Sequence, residues 1–183
     1  QSVPDCQLPF NHIQIWHKMR IQLRSSYDSK TLLPSQGLHA SLASSTWPFG
    51  CYNHVIISSD GNNDWPHNGL LAHEVVELHL IFKPILGSQN PLSSMFFAYV
   101  LWFTTLPEDP HVGMHVLKQA LWSTGERAGD IIPLLQIHSP VHLIPCFGQR
   151  VNSQLHSWSL NELSSSFWLN KHWTKELFHT CSS

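Results

Sequence analysis

Hydrophobic and polar positions alternate most cleanly between His73 and Lys83. Val76, Leu78, Leu80 and Phe82 fall on one face at period two, and Val75, Glu77, His79 and Ile81 on the other, which predicts a strand. Met95 to Thr105 is apolar on both faces and predicts a second, buried, central strand. Gly113 to Leu121 predicts a third, and Val55-Ile56-Ile57 a short one. Between Gly129 and Gly148 lie two apolar runs, Ile131 to Ile137 and Val141 to Phe147, joined by Ser139-Pro140. Each carries a proline, Pro133 or Pro145. Proline lacks the N–H of a central ladder, so these runs belong at sheet edges, strand starts or bulges. Such a pair suits the closing corner of a small barrel.

Two stretches read as helices. Ile13, Trp16, Met19, Ile21 and Leu23 recur at roughly helical spacing, which predicts a helix over about 12–25. Lys18, Arg20 and Arg24 between them can meet an acidic partner, with a solvated helix face as the plainer account. Leu163, Phe167, Trp168, Trp173, Leu177 and Phe178 predict a second helix over about 161–180, capped by Ser159 or Asn161 and broken near Asn170. Residues 26–54 are rich in Ser, Thr, Pro and Gly and read as a long loop held down by Leu38, Leu42, Trp47 and Phe49. Residues 59–69 carry strong turn chemistry. Residues 1–11 read as a tail, leaving one domain over 12–183. The predicted class is mainly β (α+β): a small antiparallel, partly open, barrel-like domain of about five or six strands, flanked by N- and C-terminal helices.

Composition narrows the function classes. Of 183 residues, 42% are hydrophobic, enough for a core. Only 12% are charged, about half the usual share, so few charges guard against self-association. Ten Lys and Arg against twelve Asp and Glu give a formal net charge of −2. A stand-alone nucleic-acid binder normally shows a basic footprint, so any phosphate contact here is local. The fourteen histidines would add positive charge in mild acid, since unperturbed imidazole titrates near ~6.5. The four cysteines, Cys6, Cys51, Cys146 and Cys181, are widely spaced and read as reduced structural thiols. There is no secretory signal pattern and no apolar run of membrane-spanning length, so a soluble intracellular chain is expected; its start at Gln1 suggests a fragment.

Motifs for chemistry fail one by one. His73-Glu74 to His79 resembles a zinc-protease motif, but the second histidine comes six residues on instead of four. His138 and His142 are four apart with Pro140 between them, which excludes a helix. Asp60 to Asp64 lacks the glycine and glutamate of a calcium loop. No phosphate-binding glycine loop and no serine elbow is present. The carboxylates are scattered, and no catalytic residue, metal site or cofactor site is read. The eight tryptophans can stack bases but fall mostly in apolar patterns that suit a core. The best contact surface is a patch of Arg127, Arg150, Lys171 and Lys175, with solvated charge as its plainer account.

Several segments, in order, resemble the C-terminal region of fungal Plavaka-type transposases, a branch of the CACTA-like cut-and-paste DNA elements. They are Tyr27-Asp28 with Leu32 to Gln36, Ser44 to Gly50, Val55 to Ile57, Trp65 to Leu70, His73 to Phe82 and Phe97 to Val100. Met114 to Lys118, Gly129 to Leu134, Val141 to Gly148, Phe167 to Lys171 and Lys175 to Phe178 follow. Together they cover about residues 15–180. The resemblance implies a nuclear, DNA-transposition setting, with the RNase H-like catalytic core lying upstream of this region. It therefore implies a non-catalytic accessory module whose partner is the transposase core or element-end DNA. Cys146 stands where that family usually has arginine before Phe-Gly, Leu101-Trp102 replace a more polar pair, and the segment after Leu106 is shorter. These departures suggest a degenerate remnant. A histidine-dependent metal enzyme and a vestigial reading frame without activity are the two alternatives.

Overall fold

The structure is a computed structural model. It describes residues 10–25, 27–28, 30–58, 69–71, 73–87, 89–146, 159 and 163–181. Most of the tail at 1–11, most of the turn at 59–69, Phe147-Gly148, Asn161 and Arg150 lie outside the described residues.

Two strands carry the fold, β6 (His73–Pro84) and β7 (Phe97–Glu108). They pair antiparallel, as the alternation in the first and the two-faced apolarity of the second predict. One edge of β6 is shared end to end by β5 (His54–Ser58) and β1 (Ile13–Trp16). The far edge of β7 is shared by β9 (Gly129–Pro133) and β8 (His115–Gln119). The sheet continues from β8 to β12 (Ser166–Leu169) and β11 (Leu143–Pro145), and on the other side from β5 to β10 (Ile137–Val141). The strands β10 and β11 end the seven-strand path through this nine-stranded sheet and do not pair with each other, so the sheet is not closed into the barrel expected. The prolines sit as their missing donor requires: Pro140 is in the edge strand β10, and Pro133 and Pro145 end β9 and β11. The two apolar runs do not pair with each other. They separate to β7, β5 and β12.

A second, three-stranded sheet orders β2 (Lys18–Ile21), β3 (Gln36–Ser41) and β4 (Cys51–Tyr52). It corrects two expectations. The N-terminal helix is absent: the chain forms β1, crosses at His17 and enters β2. The reason is visible in the residues. Ile13, Ile15, Met19, Ile21 and Leu23 are all odd-numbered, a period of two, and three of them are β-branched isoleucines. The expected loop at 26–54 contains β3, whose Leu38 and Ala40 are fully buried. Leu42, Trp47 and Phe49 stay exposed.

Two cores result. Leu38 and Ala40 of the small sheet meet Val55, Ile57, Val76, Leu78, Ile81, Ala98 and Val100 of the large one. On the other face of β5, Ile56 joins Val75, Phe103, Leu117, Val141, Leu143, Phe167 and Leu169. All five residues of β5 are buried because it lies between both cores. The helix α1 (Lys175–Cys181) closes this second core with Leu177 and Cys181. Instead of one helix over about 161–180, this stretch contains the strand β12 and the seven-residue α1. Phe167 and Leu169 are buried at period two in β12, and the chain breaks at Asn170, where its side chain accepts from the His172 N–H. Among the described residues no helix is long and apolar enough to cross a membrane.

Candidate functional site

The most charged place in the interior is Glu77, 2% exposed in the middle of β6. Register puts His54 of β5 directly opposite it, with Nε2 3.9 Å from the carboxylate. Between Leu78 and Leu80 the pairing with β7 slips by one residue, a bulge at His79. A bulge re-aims side chains. Here it brings His79 Nε2 to 3.2 Å from Glu77. It also reverses the alternation, so Ile81 joins Val76 and Leu78 in one core instead of facing away from them. Arg127, bridged to Leu121 in the β8–β9 connection, donates from Nη2 to Glu77 at 3.4 Å and lies 5.3 Å over the Phe103 ring. Tyr52 stacks on His79 at 4.0 Å.

Burial alone would raise the Glu77 pKa, but the contact with His79 and the charges of His54, His79 and Arg127 outweigh it and lower it. The carboxylate is ionised, with Arg127 as its permanent counter-charge. Burial pushes His54 down to about 4, so its imidazole is neutral at pH 7. An enclosed carboxylate of this kind anchors strands. At 2% exposure it meets almost no solvent. The thiol of Cys181 is pushed up to about 11 by burial, which leaves it protonated and unreactive. His73 sits against His138, ring centroids 5.3 Å apart, not against His79. Among the described residues no group of three or more His, Cys, Asp or Glu side chains is arranged to hold a metal.

The cations singled out in the sequence are dispersed to different partners. Arg127 holds Glu77. Lys171 lies 3.4 Å from Glu108. Lys175, the first residue of α1, places its ammonium 4.8 Å from the centre of the Tyr27 ring. Arg150 lies outside the described residues. Lys175 also borders a cavity.

That cavity is a cleft of about 450 Å³ between the N-terminal hairpin and α1. One wall is Ile21, Leu23, Ser25, Tyr27, Leu33, Pro34 and Gln36, and the other is Ser139, Thr174, Lys175 and Glu176. The odd residues 21, 23, 25 and 27 line it because the chain stays extended beyond β2, held by an Arg24–Leu32 bridge and the Leu33 N–H on the Leu23 carbonyl. Ser25 donates to Glu176 at 3.0 Å, tying the two walls together. Thr174 caps α1 through the Leu177 N–H. Among the described residues no carboxylate lies within ion-pair distance of Lys175. The hairpin wall of the cleft is mainly apolar, through Ile21, Leu23, Leu33 and Pro34, and the facing wall carries one cation and one carboxylate, Lys175 and Glu176. Reading residues 12–25 as a helix hid the cleft, since the residues of one wall then scatter around a cylinder.

A family model described as "Domain of unknown function (DUF6830)" matches residues 1–120. The chain belongs to the DUF6830 family. The DUF6830 match takes in β1 to β8 and leaves β9 to β12 and α1 beyond it. It thus contains the hairpin wall of the cleft but not the wall that carries Lys175. No curated protein and no solved structure matches the chain.

Proposed function

We propose that this DUF6830 chain is a non-catalytic interaction module, the role that its likeness to the C-terminal region of Plavaka-type transposases implies, acting in the nucleus on a transposase core. The observation that carries this reading is the cleft. Its wall of Ile21, Leu23, Leu33 and Pro34 suits the apolar side chains of an extended peptide, and Lys175 suits an acidic residue on it, since the neighbouring Glu176 is engaged by Ser25. Protein is favoured over element-end DNA as the partner, because Arg127 is committed to Glu77 and Lys171 lies beside Glu108. The test is calorimetric titration of the chain with the catalytic core of a Plavaka-type transposase. Binding is expected, and Lys175→Glu is expected to weaken it about ten-fold, the loss of roughly one charge pair. No binding, or binding indifferent to Lys175→Glu, would refute the reading.

A further inference from the structure

The strand β2 lies at one end of the three-stranded sheet and, among the described residues, pairs only with β3. Its odd residues bond β3, as the Ala40 N–H on the His17 carbonyl shows. In an antiparallel strand the N–H and C=O of one residue point the same way, so the backbone groups of Lys18 and Arg20 point to the open edge. Among the described residues nothing is hydrogen-bonded to them there. The side chains of Lys18 and Arg20 share the outer face and are exposed, while Met19 and Ile21 face the core. Opposite Arg20 stands Gly37, and the Lys18 stem lies across it, 3.2 Å from where a Cβ would be. Two like charges thus share one face of β2, and no carboxylate among the described residues lies within ion-pair distance of either.

We propose that the open edge of β2 accepts a strand from another protein, one whose residues alternate acidic and apolar. The backbone of Lys18 and Arg20 would bond the incoming strand, as sheet edges do in strand addition. Its acidic residues would lie on the outer face beside Lys18 and Arg20, and its apolar residues on the inner face beside Met19 and Ile21. The same two cations repel a second copy of β2, which keeps the edge from pairing with itself. A phosphate polyanion suits the site less well, because the chain as a whole carries net charge −2. This site shares Ile21 with the cleft but does not depend on the transposase reading.

The test uses the full chain and a labelled synthetic peptide of alternating valine and glutamate, followed by fluorescence anisotropy. Saturable binding is expected. Lys18→Glu with Arg20→Glu should weaken it about ten- to thirty-fold, the effect of reversing two cross-strand pairs. Arg20→Pro removes an N–H that faces solvent, so the fold should survive while binding is lost. Should Arg20→Pro lower the melting temperature markedly, the Lys18→Glu/Arg20→Glu pair decides alone. The proposal is overturned by absence of binding, by equal binding of a valine–lysine peptide, or by binding that a folded Arg20→Pro chain retains. Single-stranded DNA binding in place of the peptide, or self-association through the edge, overturns it as well.

Discussion

Glu77 and His54 face each other across two buried strands, and their ionisation ties the fold to pH. His54 is held down to about 4 by burial, against roughly 6.5 in an unfolded chain. Between those values the unfolded chain takes up a proton that the folded chain refuses, so acid favours unfolding. His138 is lowered by burial and by His73 and acts in the same direction. Glu77 works in the adjoining range: its pKa is depressed, so its stabilisation is present above the unfolded value and is lost as pH falls through the folded one. Stability measured by urea unfolding should therefore fall as pH drops from about 6.5 to 4, by on the order of 3 kcal/mol from His54. His54→Gln should flatten that slope. A wild-type chain equally stable at pH 7 and pH 4.5 would contradict this.

At the scale of elements, the second core depends on α1, a helix of seven residues. A helix that short has little stability of its own. It is held by Leu177, 1% exposed among Phe167, Leu169 and Leu143. Leu177→Ala should destabilise the chain by about 2–5 kcal/mol in chemical denaturation and should loosen the Lys175 wall of the cleft. A loss under about 1 kcal/mol would mean that α1 does not close the core. The elements also show what the sequence reveals and what it hides. The strands β5, β6, β7 and β8 were legible because their alternation or two-sided apolarity has no other satisfactory reading. The segment 12–25 was misread because Trp16 completes a helical spacing, although Ile15 completes an equally good alternation. Pairing with β6 and β3, which lie far along the chain, decides between them. The bulge at His79 leaves no local trace, so the shift of Ile81 into the first core could not be foreseen. The cluster around Glu77 was hidden for the same reason: its members come from positions 54, 77, 79 and 127, joined only by register.

At the scale of the whole molecule, the two sheets place every large feature. The small sheet covers one face of β5, β6 and β7, and β8, β12, β11 and α1 cover the other face of β5. The cleft lies where the hairpin that extends the small sheet meets α1. The DUF6830 match ends at residue 120, so the cleft joins a wall inside that match to a wall outside it. Of the cations read from the sequence, Arg127, Lys171 and Lys175 each have a different partner, and Arg150 lies outside the described residues. The interaction reading therefore rests on the cleft. The most direct measurement is amide hydrogen exchange across the chain, with and without the transposase core. The account predicts slowed exchange at residues 21–36 and 174–177, the two walls of the cleft. Exchange unchanged at both walls, or protection confined to the outer face of β7 and β9 around Tyr99 and Ile131, would contradict it.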